Sequence, residues 1–209
     1  MWRVERPDGQ ARLPGPIALW WIGEAAVDGD VVKTVAERVA REFAREVAVQ
    51  TPIERPAGTL DAKRRQHSSR EMLKWLVAHA PADASRVLGL TDVDLFIPVL
   101  TFVFGEAQLE GVAAVVSAAR LAAPADRRLT AARLAREAVH ELGHTFGLVH
   151  CDALEDEDGR AAPCVMARSP SVRAVDAKSA RLCPGCRARY VTFQQDGSHV
   201  YREHENPHR

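Results

Sequence analysis

The stretch "HELGHTFGLVHC", from His140 to Cys151, packs three histidines, a glutamate, two glycines and a cysteine into twelve residues. His140 and His144 are four apart. On a helix they share one face, one turn apart, and can offer two imidazole nitrogens to one metal ion. Glu141 is rotated about 100° around such a helix. It can touch a metal-bound water without being forced to ligate the metal. Gly147 can take the left-handed conformation that ends a helix and turns the chain. After that turn His150 can return as a third ligand. Three protein ligands leave one zinc position open, the mark of a catalytic rather than a structural site. HExxH alone is moderately specific, but a following glycine and third histidine at these offsets make accident a poor explanation.

Cys151, directly after the third histidine, joins Cys164, Cys183 and Cys186 as the only cysteines of the chain. "CPGC" at Cys183–Cys186 is a knuckle common in tetrahedral thiolate zinc sites. A redox dithiol and unrelated buried cysteines are the competing readings, but the strand context of a thioredoxin-like CxxC is missing. Between Cys151 and Cys164 lies "DALEDEDGRAAP", with five acids and one arginine. It lacks the ligand spacing of a calcium loop and is expected to be a solvated surface insertion. Lengthening a loop from four to twelve residues costs only about 1 kcal/mol, so the thiolate site should tolerate it.

These residues need a scaffold. "PIALWWIG" (Pro16–Gly23) is an apolar run that predicts a buried strand. Asp30 should cap a helix with Val32, Val35, Val39 and Phe43 on one face. Val47–Gln50 predicts a second strand, and Thr51–Gln66, rich in proline, glycine and basic residues, predicts a loop. Ser68 and Glu71 form a capping box ahead of Met72, Leu73, Leu76 and Val77, and Pro81 ends that helix. "RVLGLTDVDLFIP" predicts a third strand and a turn. The segment Thr101–Leu121 predicts two more strands with bends at Gly105 and Gly111. Thr130 should open the helix that carries Leu134, Ala138 and Leu142 inward and runs into His140. A cysteine-bearing irregular region follows. An Asp-Gly turn near the end sets Phe193 opposite Val200 in a plausible hairpin.

The ensemble resembles the archaemetzincins, a branch of the metzincin clan of zinc metallopeptidases. The match is HExxHxxGxxHC from His140 to Cys151, "CVM" at Cys164–Met166 and "CPGC" at Cys183–Cys186, with support from "GLTDVDLF" and "FVFGEAQLEGVAAVVSAARL". The resemblance implies an α/β (α+β) fold, a twisted, mostly parallel sheet flanked by helices, with an active-site helix and a zinc-stapled C-terminal region. It implies His140, His144 and His150 as ligands of a catalytic zinc and Glu141 as general base. Cys151, Cys164, Cys183 and Cys186 would hold a second, structural zinc. Met166 would be the Met-turn methionine, an apolar floor beneath the histidines. Two spacings depart from the family pattern. Twelve residues separate the first two cysteines where the family has four, and sixteen separate Met166 from Cys183 where it has seventeen. Arg168 stands where some metzincins carry a tyrosine that assists catalysis.

The chain has 209 residues, 46% of them hydrophobic, enough for one domain with a real core. The expected organisation is a single metallopeptidase domain: a polar segment at 1–14, a sheet-and-helix part at 15–150, the Met-turn and structural zinc region at 151–190, and a hairpin or tail at 191–209. Lys plus Arg equals Asp plus Glu at 28 each, which speaks against nucleic-acid or membrane-surface partners. No apolar run approaches the ~20 residues of a membrane helix. The opening "MWRVERPDGQARLPG" has no signal pattern, so a cytoplasmic protein is expected; the expected partners are peptide or protein substrates, and the expected state is a monomer. The activity this predicts is peptide-bond hydrolysis by a zinc-activated water. A non-catalytic zinc-binding protein of the same fold with a recognition role is the rival, and a thiol-redox protein a third reading. The segment Gly105–Gly111 is expected at the upper rim of the cleft.

Overall fold

The computed structural model describes residues 15–23 and 29–195. The expected polar segment at 1–14 lies outside them. Along the chain come β1 (Ile17–Ile22), α1 (Gly29–Phe43), β2 (Val47–Ile53), β3 (Leu60–Asp61), β4 (Gln66–Ser68) and α2 (Ser69–His79). Then follow β5 (Arg86–Thr91), β6 (Leu95–Phe96), β7 (Gly105–Ala107), β8 (Ala113–Ser117) and α3 (Arg127–Thr145), and last α4 (Val172–Ala177) and α5 (Pro184–Gln195).

The main sheet has the order β2-β1-β5-β8-β7. Its first four strands run parallel, and β7 is antiparallel to β8 at the edge. All six residues of β1 are buried because both faces of the sheet are covered. With a period of two, Ile17, Leu19 and Trp21 enter a core shared with α1 and α3. Ala18, Trp20 and Ile22 enter the core beneath α2. The expected face of α1 is the buried one, through Val32, Val35, Val39 and Phe43. This is the mostly parallel, helix-flanked sheet expected from the sequence. Among the described residues no helix is long and apolar enough to cross a membrane.

Several local expectations need correction. Thr51–Gln66 is not all loop: β2 continues to Ile53, β3 lies within the segment, and Gln66 starts β4. With β6, β3 and β4 form a second small sheet in which β4 pairs antiparallel with β3 and parallel with β6. Asp30 lies inside the first turn of α1 rather than at its cap. The capping box is half made. Ser68 Oγ accepts from Glu71 N, but the Glu71 carboxylate turns to Lys74, and Ser68 N donates to Thr59 O. Asp126, not Thr130, caps α3, accepting from Leu129 N at 2.9 Å. The expected hairpin fails at its first strand, because Val191–Gln195 ends α5. Its turn and second strand lie outside the described residues. Pro184 sits at the first position of α5, where its missing N–H costs nothing. Tyr190 then donates its hydroxyl to Phe43 O at 2.6 Å, tying α5 to the end of α1.

Candidate active site

The last turns of α3 bury their polar side chains: His140, Glu141 and His144 are 5–7% exposed. The helix ends in a Schellman arrangement. Gly147, at φ +79°, donates to His144 O, and Leu148 N reaches back to Gly143 O. That turn sets Leu148 O against His144 Nδ1 at 2.7 Å. His140 Nδ1 similarly faces Val165 O at 2.8 Å. Each carbonyl can only accept, so each Nδ1 carries the proton and each Nε2 presents a lone pair. The two Nε2 atoms face one another across 3.3 Å. The exposed His150 comes back beside them, its ring centre 5.3 Å from that of His140 and 5.0 Å from that of His144.

Two lone pairs at 3.3 Å repel unless a cation lies between them. Zinc bonds of 2.0–2.1 Å at tetrahedral angles put two nitrogens about 3.3–3.4 Å apart, so the donor set fits that ion. The rings are also held neutral. Burial pulls His144 down to about 4. Burial first, then the Lys178 charge, takes His140 well below its ordinary value. Burial and then Arg168 lower His150.

Glu141 packs beneath the edge strand β7. A β-carbon on Gly105 would stand 2.7 Å from its Cγ and 2.8 Å from its Oε1. Gly105 was expected to mark a bend, but the close approach is what demands a glycine there. Burial raises the Glu141 pKa well above the usual carboxylate range, with Glu137 and Glu106 adding to the rise. Met166 is fully buried against the helix: a β-carbon on Gly143 would meet its Sδ at 2.5 Å. Met166 thus touches the stretch between the two helical histidines.

The four cysteines converge as a second group, with their sulfur atoms all within 4.8 Å of one another and no disulfide among them. Cys151 and Cys183 Sγ are 3.7 Å apart, close to the separation of two thiolates around tetrahedral zinc, about 3.7–3.8 Å. Backbone N–H groups of Ala153, Met166, Cys183 and Cys186 point at sulfur, as thiolates require. Hydrogen bonding from Cys186 pulls the Cys164 thiol down to about 5, the same bond holds the Cys186 thiol far up, and burial raises Cys151. Cys151 N donates to Met166 O at 3.2 Å, so the two sites share one stretch of backbone.

The acidic insertion is not simply solvated. Asp156 is buried and accepts from Ser179 Oγ, Asp158 N and Arg160 N. Glu157 pairs with Arg181 and Arg187, and Arg187 continues to the buried Glu42 of α1. Asp156 and Glu157 therefore tie the insertion to the Ser179–Arg187 segment, and Arg187 joins that segment to α1. Sequence reasoning also missed Glu137, Ser169 and Lys178, which meet in a buried cluster beside His140. Glu137 was within reach of pattern reading: it shares the helix face of Glu141 and His144 at offsets of four and seven.

Residues 32–191 match the model of peptidase family M54. An archaemetzincin from Methanopyrus kandleri is 46% identical over 123 residues, which cover 59% of this chain and 65% of that relative. The match thus spans less than two thirds of that relative's length. A crystal structure of the M. kandleri archaemetzincin has a TM-score of 0.74 at 32% identity, covering 92% of this chain and 99% of that one. That of a zinc-dependent peptidase from Methanocorpusculum labreanum has a TM-score of 0.69 at 25% identity, covering 83% and 99%.

Proposed function

The chain belongs to peptidase family M54, and on that premise we propose that it is a zinc-dependent peptidase built as one catalytic domain. His140, His144 and His150 hold the catalytic ion, Glu141 is the general base, and Met166 is the floor. Cys151, Cys164, Cys183 and Cys186 hold a second, structural ion. The observation that carries this reading is the meeting of two metal-ready imidazole nitrogens at 3.3 Å, with a third histidine and a buried carboxyl beside them.

When bound, zinc supplies Lewis acidity that activates water and polarises the scissile carbonyl. Glu141 accepts the proton of the attacking water and passes it to the leaving amine. Its buried setting disfavours the charged form, which strengthens it as a proton acceptor. The strand β7 pairs only with β8 among the described residues, so its outer edge is open to an extended peptide that adds as a further strand. Gly105 brings that edge down onto Glu141, so a peptide there runs beside the base. The cysteine site pins the chain just after His150 and steadies the third ligand.

Turnover of a mixed peptide library by wild type and Glu141→Ala, with zinc content measured in both, tests the reading. Zinc should stay bound in the variant while turnover falls at least ~10². A zinc-loaded wild type that cleaves nothing would favour the recognition role instead.

A further inference from the structure

The Lys178 side chain, 1% exposed, stands beside the ring of His140. Its Nζ lies 2.7 Å from Glu137 Oε1, 2.7 Å from Ser169 Oγ and 3.3 Å from Ala167 O. Those three acceptors match the three N–H bonds of an ammonium. Nδ1 of His140 is 3.5 Å away, with its own proton turned to Val165 O. Ser169 Oγ closes the cluster by donating to Glu137 Oε1 at 3.0 Å. Glu137 lies on α3 one turn before Glu141, Ala167 and Ser169 follow Met166, and Lys178 directly follows α4. One cation therefore joins the helix of the histidines, the Met166 turn and the segment leading to Cys183.

Stability is a poor reason for such a pair. Taking two full charges out of water costs so much that apolar replacements of similar volume are often neutral or better. What an apolar pair lacks is direction: it cannot bring three acceptors from two segments to one point. The backbone groups so held adjoin the working ones. Val165 O orients His140, and Met166 packs on Gly143.

We propose that Lys178 is a positioning residue of the active site: through Glu137, Ala167 and Ser169 it fixes the Met166 turn against α3, so that His140 Nε2 and Glu141 stay aimed at one point. The proposal rests on the histidine-site reading given above. Partners that orient metal-binding histidines typically matter by 10–100-fold in metal affinity or activity, which sets the size of the effect.

The test uses the zinc-loaded full chain and the double variant Glu137→Gln/Lys178→Met, beside Lys178→Met alone. The single variant strands a buried carboxylate and should lower the melting temperature sharply; the double variant removes both charges and should recover most of it. With stability recovered, kcat should remain about 10- to 100-fold down with KM within about twofold. The histidine-bound zinc should leave to a chelator about tenfold faster, while the cysteine-bound zinc holds. A double variant with wild-type kcat and wild-type zinc release would overturn the proposal, because a merely structural pair predicts that result. If the double variant stays unstable, Lys178→Arg decides. It keeps the charge, but a planar fork cannot reach the same three acceptors. Full kcat in that variant overturns the proposal, and a kcat loss of the same size upholds it. Wild type that carries no zinc at the histidines, or cleaves no peptide, would defeat the function reading and this proposal together, before any variant is compared.

Discussion

The edge strand passes over Glu141 with room for a hydrogen at Gly105 and nothing more: a β-carbon there would lie 2.7 Å from Glu141 Cγ and 2.7 Å from Val115 O. The second contact is with backbone, so the strand cannot simply yield. Gly105→Ala should push the carboxyl aside by a fraction of an ångström or more. Misplacement on that scale can cost about 10²-fold in rate. We expect kcat to fall at least ~10-fold with zinc content unchanged, read by steady-state kinetics and elemental analysis. Unchanged kcat would show that Glu141 does not need its present place.

The acidic insertion supplies a second prediction, opposite in sign to the one its composition suggests. Cutting residues 152–163 to four would relieve about 1 kcal/mol of loop-closure cost. It would also remove Asp156 from Ser179 and Glu157 from Arg181 and Arg187. Charge-assisted bonds of this kind contribute about 1.5–3 kcal/mol each, less where partly exposed. The shortened protein should therefore be less stable, by roughly 2 kcal/mol in urea denaturation. Equal or greater stability would return the insertion to a passive surface loop. The inward acids also leave little reason to expect a preference for basic peptides from this loop.

Acid should weaken the zinc-free protein through His144. Its native pKa is about 4, held down chiefly by burial, against 6.5 for the ordinary ring. Between those values the unfolded chain binds a proton that the native chain does not. The contribution is thus fully present above about pH 6.5, is lost as pH falls toward about 4, and is flat below. Its size is roughly 3 kcal/mol. Denaturation curves between about pH 7 and pH 4.5 should show this slope in wild type and much less of it in His144→Asn. Identical slopes in the two proteins would mean that His144 is not the buried neutral group described.

Much of the site was legible because it is local. His140, Glu141 and His144 depend only on helical spacing, and Gly147 announces the turn that His150 needs. The strands β1, β5 and β8 were readable for a similar reason: burial on both faces leaves continuous apolar runs. What escaped depends on partners distant in the chain. Gly105 looks like a bend until Glu141 is placed under it. Lys178 looks like a surface lysine until Glu137, 41 residues earlier, comes to meet it. The strands β3 and β4 are too short to carry a pattern and exist because β6 pairs with one of them. In α5, Cys186, Tyr190 and Phe193 do follow a helical period. The Asp-Gly pair after them suggested a hairpin, and the local turn signal outweighed the longer one.

The most direct measurement is anomalous diffraction at the zinc edge from crystals of chelator-free protein. Two peaks per chain are expected. One lies among His140 Nε2, His144 Nε2 and the ring of His150, and the other lies among the sulfurs of Cys151, Cys164, Cys183 and Cys186. A peak at the cysteines alone, with the three histidines empty, would contradict the proposed function.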